Sequence, residues 1–145
     1  MVGVSCCLAG VNCTTKGENN QIDLIKQMVE AGRAIMVCPE VLGGLSIPRE
    51  PCEIKDRKVI SASGVDQTEK FYAGADKALK ILQDANVKVA LLKAKSPSCG
   101  KGKIYDGTFQ NQLTTGDGIA VKVLEANGIR VYNEDSLAEF LKEID

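Results

Sequence analysis

Four short apolar runs, interspersed with stretches of helical periodicity, constrain the fold of this chain more than any other feature. The apolar runs are typical of buried β-strands and cover Val2–Ser5, Ala34–Val37, Val87–Leu92 and Ile129–Tyr132. Apolar residues recur every three or four positions in the segments 21–31, 66–82, 119–127 and 137–144. Strands that alternate with helices predict βαβ units. We therefore expect an α/β layer sandwich with a mostly parallel sheet and helices on both faces.

The chain has 145 residues, which is enough to bury a sizeable core, so we expect one domain over residues 1–145. One segment fits the strand–helix pattern poorly. Residues 40–58 include GGLSIPREPCEIKD, and the glycines and prolines there predict an irregular connection. Irregular connections of this length are uncommon in compact domains unless they are functional or disordered.

Charge and hydropathy exclude several classes of partner. The formal net charge is −1, so no basic field draws the chain to nucleic acid or to a membrane surface. No apolar stretch approaches the length of a membrane-spanning helix. The first ten residues lack the positive segment and the long apolar stretch of a signal peptide. A cytoplasmic location is the resulting expectation.

Six cysteines and the complete absence of histidine define the chemistry open to the chain. Without an export signal, the cysteines are expected to be reduced, and to be catalytic, metal-binding or buried rather than paired in disulfides. The lack of histidine excludes Ser-His-Asp and Cys-His catalysis and histidine metal sites. Proton transfer must therefore use a carboxylate, lysine, tyrosine, serine, thiol or water.

Three of the cysteines follow apolar runs in widely separated segments: Cys7, Cys38 and Cys99. Residues at the carboxyl ends of neighbouring parallel strands converge on one crevice. Three thiolates there would hold a metal or an iron–sulfur cluster and leave one coordination position open. The spacing alone does not decide the matter, because no CxxC pair is present and buried cysteines often serve only packing.

The sequence around these cysteines is similar to that of the thiouracil desulfidase family. The similarity covers SCCLAG, VCPEVLGGLSIPREPCEI, GVDQTEKFYAGA and LLKAKSPSCGKGKIYDGTF, in that order and over nearly the whole chain. The resemblance implies a small α/β protein with a 4Fe–4S cluster on three cysteines. It also implies removal of sulfur from thiolated uracil without net redox change, with the unique iron taking the sulfur.

The family's patterns assign the cluster ligands to individual residues. The S-x-C-L pattern falls on Cys7 rather than Cys6, and the CPE and SPSCG patterns fall on Cys38 and Cys99. One segment departs from the family, since Thr14-Thr15-Lys16-Gly17 stands where a basic residue, tyrosine, an acidic or amide residue and glycine are usual. If that loop borders the substrate, the departure affects the identity of the substrate more than the cluster.

The other cysteines have simpler interpretations. If the strand's alternation continues past Ser5, Cys6 should point away from Cys7 and serve packing. Cys13 is either a sulfur acceptor or resolving thiol, or a structural loop cysteine. Cys52 stands where the family more often has a small apolar residue, so we interpret it as incidental.

Four polar residues are candidates for the reaction itself. Glu40, two residues after Cys38, is the best acid–base candidate, although a capping or solvated glutamate is the alternative. Ser96 and Ser98 precede Cys99, and the resemblance favours Ser96 for catalysis and leaves Ser98 to bind substrate; both are otherwise ordinary turn residues. Arg49 could fix a polar substrate through its donor fork, or it could form a salt bridge to a loop acid.

The sequence thus predicts an iron–sulfur enzyme that desulfurises a small thiolated heterocycle such as thiouracil. Two alternatives remain at this point. One is a non-enzymatic carrier of metal or persulfide that uses the same cysteines, and the other is a set of structural thiols around an ordinary small-molecule pocket. An enzyme needs acid–base groups beside an open iron, whereas a carrier needs only accessible thiols.

Overall fold

The computed structural model describes the whole chain, Met1–Asp145, as strands and helices that mostly alternate. In chain order they are β1 (Val2–Ser5), α1 (Asp23–Glu30), β2 (Ala34–Val37), α2 (Pro39–Leu42), β3 (Cys52–Lys55), β4 (Lys58–Ser61), α3 (Thr68–Asp84), β5 (Val89–Leu92), β6 (Lys103–Tyr105), β7 (Leu113–Thr115), α4 (Ile119–Ala126), β8 (Arg130–Asn133) and α5 (Leu137–Ile144). Short 3-10 helices cover Cys6–Ala9 and Glu134–Ser136. None of the helices combines the length and the apolar character needed to cross a membrane.

The central sheet has four parallel strands in the order β2-β1-β5-β8. Successive side chains of β5 point to opposite faces, as the period of a strand requires. On one face, Val89 and Leu91 pack with residues of α1 and α5, including Ile25 and Phe140. On the other face, Ala90 and Leu92 belong to a second core cluster, which includes Ala78 and Leu82 of α3 and Leu124 of α4. The predicted sandwich with helices on both faces is confirmed.

The order of the strands creates a crevice at one point of the sheet. The chain leaves β1 through α1 to reach β2 on one side, and it later reaches β5 on the other side of β1. In open α/β sheets, ligands bind outside the carboxyl ends of the strands where the connections reverse in this way. Cys7, Cys38 and Cys99 follow β1, β2 and β5, which are three adjacent strands.

The predicted irregular connection at residues 40–58 is confirmed for residues 43–51 but was wrong at both ends. It contains most of helix α2 and, after an irregular stretch, the antiparallel hairpin of β3 and β4. The turn between these strands places Asp56 and Arg57 at φ of 50° and 67°. Two positive φ values are the requirement of the tight I′ hairpin turn, which usually contains asparagine or glycine. Asp-Arg carries no such signal, so the hairpin is not visible in the sequence.

A close contact between two glycines fixes α2 against α3. A Cβ atom added at Gly74 would lie 1.8 Å from the carbonyl oxygen of Pro39, and one at Gly43 would lie 2.0 Å from the carbonyl oxygen of Lys70. No side chain larger than hydrogen fits between the two backbones. This packing sets the position of α2, which carries Glu40 and directly follows Cys38.

Candidate active site

A cavity of about 640 Å³ opens at the carboxyl edge of the sheet, where the strand order reverses. Its lining draws on the ends of β1, β2 and β5, the loop that contains Arg49, strand β3 and the loop between β6 and β7. All six cysteines line it: Cys6, Cys7, Cys13, Cys38, Cys52 and Cys99. None of them is paired in a disulfide. The expected meeting of Cys7, Cys38 and Cys99 is therefore observed, together with three further thiols.

Cys6 does not point away as the alternation of a strand predicts. The strand ends at Ser5, and Cys6 and Cys7 begin a 3-10 helix. Strand alternation therefore stops before Cys6, and both adjacent cysteines line the cavity. Cys52, interpreted from the sequence as incidental, also lies in the wall, at the start of β3.

Cys13 is the centre of a group of thiols. It is buried, and the sulfurs of Cys38, Cys6 and Cys7 surround its thiol, which can donate its single proton to only one of them at a time. Hydrogen bonding to these sulfurs raises the pKa of Cys13, so it remains a protonated donor. A hydrogen bond from Cys13, helped by the backbone N–H of Val41, lowers the pKa of Cys38 to about 6 against the effect of burial.

The Cys7 pKa is also lowered, mainly by the Cys13 thiol and further by Asn20 and the charge of Lys93. Two of the predicted ligands are thus held in a setting that favours the thiolate. Burial acts the other way on Cys99, whose pKa it raises to about 12, and on Cys52, whose pKa it raises to about 11. Metal binding deprotonates a coordinating thiol outright, so a raised pKa in the free protein is compatible with ligation.

The turn that carries Cys99 is held by hydrogen bonds on both sides. The Ser96 hydroxyl accepts from the backbone N–H groups of Ser98, at 3.0 Å, and Cys99, at 2.9 Å. The first N–H groups of α4 have no partner within the helix. Those of Ile119 and Ala120 donate to the carbonyl oxygens of Pro97 and Ser98. The segment that carries Cys99 thus caps the N-terminus of α4, and these hydrogen bonds also hold that segment in place.

Glu40 is hydrogen-bonded to this turn. Its Oε2 accepts from the Ser98 hydroxyl at 3.0 Å and lies 3.4 Å from the Ser96 hydroxyl. The Ser98 hydroxyl also lies 3.5 Å from the sulfur of Cys99, so it links the carboxylate to a predicted ligand. The Glu40 side chain is only 12% exposed. A carboxylate held in this way can act on protons inside the cavity.

Arg49 holds the other oxygen of the same carboxylate. Its Nε donates to Glu40 Oε1 at 3.0 Å, and Nη1 and Nη2 donate to the carbonyl oxygens of Ser46 and Cys13. The acid that pairs with Arg49 is thus Glu40, in helix α2. Three of the five donors of the guanidinium are engaged, which fits a residue that organises the site. The sequence-based roles of Arg49 and Ser98 in substrate binding stay predictions.

Four further residues of the cavity wall were not identified from the sequence. Glu53 of β3, Tyr105 of β6, and Phe109 and Asn111 of the following loop line the cavity. The strands β6 and β7 are only three residues long each, so Asp106-Gly107 marks a turn in the sequence but the strands on either side of it show no clear pattern. Asp106 stabilises the start of this loop, because its carboxylate accepts from the N–H and the hydroxyl of Thr108.

The donor set fits a cluster better than a single ion. No three of the cysteine, aspartate and glutamate side chains converge closely enough to hold one metal ion. A four-iron cluster binds each thiolate at a separate corner, so its ligands do not need to converge on a point. Thiolates are the ligands that iron–sulfur clusters select, and this cavity offers them without histidine.

Comparison with known proteins identifies the family of the chain. Residues 2–136 match the model of the 2-thiouracil desulfurase family. The chain is 40% identical over 151 aligned positions to YbbK, an uncharacterized protein of Bacillus subtilis (strain 168), covering 97% of this chain and 100% of that protein. It superposes with a TM-score of 0.94 and 38% identity on the 4Fe–4S-dependent thiouracil desulfidase TudS, covering 99% of this chain and 96% of TudS. The resemblance found in the sequence is confirmed: the chain belongs to the 2-thiouracil desulfurase family.

Proposed function

We propose that this protein is a 4Fe–4S-dependent desulfidase that converts 2-thiouracil, or a closely similar thiolated heterocycle, to the oxygen compound. One observation carries the proposal. The largely buried carboxylate of Glu40, linked through Ser98 to Cys99 and held by Arg49, lines a cavity that is also lined by six thiols. A carrier of metal or persulfide needs accessible thiols but has no use for a positioned carboxylate.

In this proposal Cys7, Cys38 and Cys99 hold the cluster. They follow three adjacent strands, and the Cys7 and Cys38 thiols have lowered pKa values. When bound, the cluster supplies an iron without a protein ligand that can act as a Lewis acid toward sulfur. The cavity of about 640 Å³ is large enough for a cluster and a single-ring substrate.

The net reaction is hydrolytic: a thiocarbonyl and water give a carbonyl and hydrogen sulfide, with no change in redox state. Glu40 accepts a proton from the attacking water as the new C–O bond forms. The Ser96 and Ser98 hydroxyls lie 3.0 Å apart, and both are near Glu40 Oε2, so they connect that carboxylate to the edge of the cavity. The proton returns by the same groups to the leaving sulfur as the C–S bond breaks. Arg49 keeps Glu40 in place throughout.

The proposal is tested by sulfide release from 2-thiouracil and related thioamides, with iron and sulfide content measured on the same anaerobic preparation. Glu40→Gln preserves size but removes the base, and Ser96→Ala removes a hydroxyl. Both variants should retain the cluster and lose about a hundredfold or more in rate, the range of general acid–base catalysis. Glu69→Gln, an exposed glutamate on α3, is the matched control and should retain full activity.

Two results would count against the proposal in different ways. Wild-type protein with a full cluster and no sulfide release from any of these compounds would favour the carrier. Full activity of Glu40→Gln and Ser96→Ala would leave the enzyme intact and overturn the roles given to these two residues.

A further inference from the structure

Glu53 has a buried carboxylate in which one oxygen accepts hydrogen bonds from the protein and the other accepts none. Its exposed fraction is 8%, and its Oε1 accepts from the backbone N–H groups of Gly107, at 3.0 Å, and Phe109, at 3.1 Å. Oε2 makes no hydrogen bond. Every fully buried side-chain oxygen and nitrogen in the protein has a partner, so Oε2 must reach open space. Glu53 is one of the residues that line the cavity, so the cavity is the open space available to this side chain.

The loop that Glu53 holds is strained and presents an aromatic ring. Gly107, Phe109 and Asn111 all have positive φ, with values of 92°, 57° and 59°. A bulky residue such as phenylalanine rarely adopts this conformation, and strain of this kind persists only where the surroundings enforce it. The bonds from Gly107 and Phe109 to Glu53 supply that enforcement. The result is a phenylalanine side chain that lines the cavity and is still 39% exposed.

We propose that Glu53 and Phe109 form the site that recognises the ring of the substrate. The Phe109 ring packs against the flat face of the heterocycle, and Glu53 Oε2 accepts a hydrogen bond from a ring N–H next to the thiocarbonyl. Both N–H groups of 2-thiouracil flank the thiocarbonyl carbon, so a single acceptor can orient the sulfur. Glu53 is a binding residue through Oε2 and a positioning residue for Phe109 through Oε1.

This inference rests on the proposed function, because it takes a planar heterocycle with N–H donors as the ligand. Glu53 and Phe109 would recognise the ring of the substrate. The cysteines that hold the cluster would act on its sulfur, and Glu40 would transfer protons. A buried carboxylate without a cation partner discriminates strongly, since a ligand without the N–H leaves that oxygen unsatisfied.

The test measures binding of uracil and 1,3-dimethyluracil by calorimetry, because neither ligand contains sulfur and neither turns over. The wild type should bind uracil roughly tenfold to a hundredfold more tightly than the dimethyl compound, as expected for a hydrogen bond to a charged acceptor. Glu53→Gln should weaken binding of uracil by a similar factor and remove the preference, since the amide can still hold the loop but can present a donor to the ring.

Phe109→Ala should weaken binding of both ligands by about tenfold, the effect of losing one stacking contact. Phe109→Tyr retains the ring and should restore binding. The matched controls are Glu69→Gln and Tyr72→Ala, which change exposed residues of α3 outside the cavity wall. Iron and sulfide content and the visible spectrum should be unchanged in every variant, because none of these residues is a predicted cluster ligand.

Several results would overturn the inference: no measurable binding of uracil to the wild type, equal affinity for the two ligands, or full affinity in Phe109→Ala. A Glu53→Gln variant that keeps the preference would do the same. If Glu53→Gln does not fold, the ligand comparison in the wild type and the Phe109 pair still decide. A wild type that binds uracil with this preference but releases no sulfide from 2-thiouracil would support the ring site and refute the proposed desulfidase.

Discussion

The contact between α2 and α3 predicts that Gly74→Ala destabilises the protein. Helix propensity alone predicts the opposite, so the direction of the change in stability shows which effect is larger. Gly74 lies within α3, in ordinary helical conformation, and faces the backbone of α2. In an isolated helix, Gly74→Ala would stabilise by about 1 kcal/mol, because glycine is a poor helix former. In this protein the added Cβ would lie 1.8 Å from the Pro39 carbonyl oxygen and 2.9 Å from the Gly43 nitrogen.

The size of the effect follows from that distance. Ordinary contact begins near 3.4 Å, so the Pro39 carbonyl must retreat by about 1.6 Å. The obstacle is backbone and cannot rotate aside, so the cost belongs at the upper end of the range for overpacking, about 3 kcal/mol. Subtracting the gain in propensity leaves a net destabilisation of about 2 kcal/mol. The same movement displaces Glu40 and Cys38, and a misplacement of about 1 Å can reduce the rate about a hundredfold.

The assay combines denaturant unfolding, iron content and sulfide release from 2-thiouracil on the same preparations. Gly74→Ala should unfold at lower denaturant, bind less iron and lose most activity. Ala73→Gly is the matched control, since Ala73 is the preceding, exposed residue of the same helix. It should cost about 1 kcal/mol through propensity alone and leave iron and activity unchanged. A Gly74→Ala variant as stable and as active as the wild type would refute the proposed role of the glycine contact.

Further predictions concern the thiols. Cys7→Ser or Cys99→Ser should lose most of the iron, because a hard oxygen replaces a soft thiolate, whereas Cys52→Ser should retain it; equal iron content in the three variants would remove the basis of the ligand assignment. In cluster-free protein, the lowered pKa of Cys38 means that the reactive thiolate predominates above pH about 6 and is lost below it. Alkylation of Cys38, followed by mass spectrometry, should therefore be half-maximal near that pH, and Cys13→Ala should move the midpoint upward toward the ordinary value of about 8.5.

The central sheet could be predicted from the sequence because its signals are local. The predicted strands Val2–Ser5 and Ala34–Val37 coincide with β1 and β2, and the other two runs differ from β5 and β8 by one or two residues. Each is a short apolar run bounded by polar or turn residues. Once the strands are placed in a parallel sheet, the residues that follow them must share an edge. The convergence of Cys7, Cys38 and Cys99 follows from that placement alone.

The hydrogen-bond partners of Glu40 could not be predicted from the sequence, because they are distant along the chain and several residues could have filled each role. Glu40 lies nine positions from Arg49 and 58 from Ser98, and no periodicity relates residues at such separations. Arg49 had several acids within reach along the chain, and only the folded loop selects Glu40. The hairpins β3–β4 and β6–β7 were missed for a related reason, since their short strands depend on tertiary contacts rather than on a pattern.

The predicted cluster ligands and the proposed ring-binding residues lie in different parts of the fold. Cys7, Cys38 and Cys99 follow strands of the central sheet, so the rigid core sets their spacing. Glu53 and the loop with Phe109 belong to the peripheral hairpins, which contact each other more than the sheet. A change in the hairpins can therefore alter which ring is bound without disturbing the thiols that would hold the cluster. The departure at Thr14–Gly17 has the same character: Thr14 and Thr15 line the cavity without being part of the sheet. Variation among relatives in substrate should therefore be concentrated in these peripheral segments, and variation in the three strand ends should abolish cluster binding.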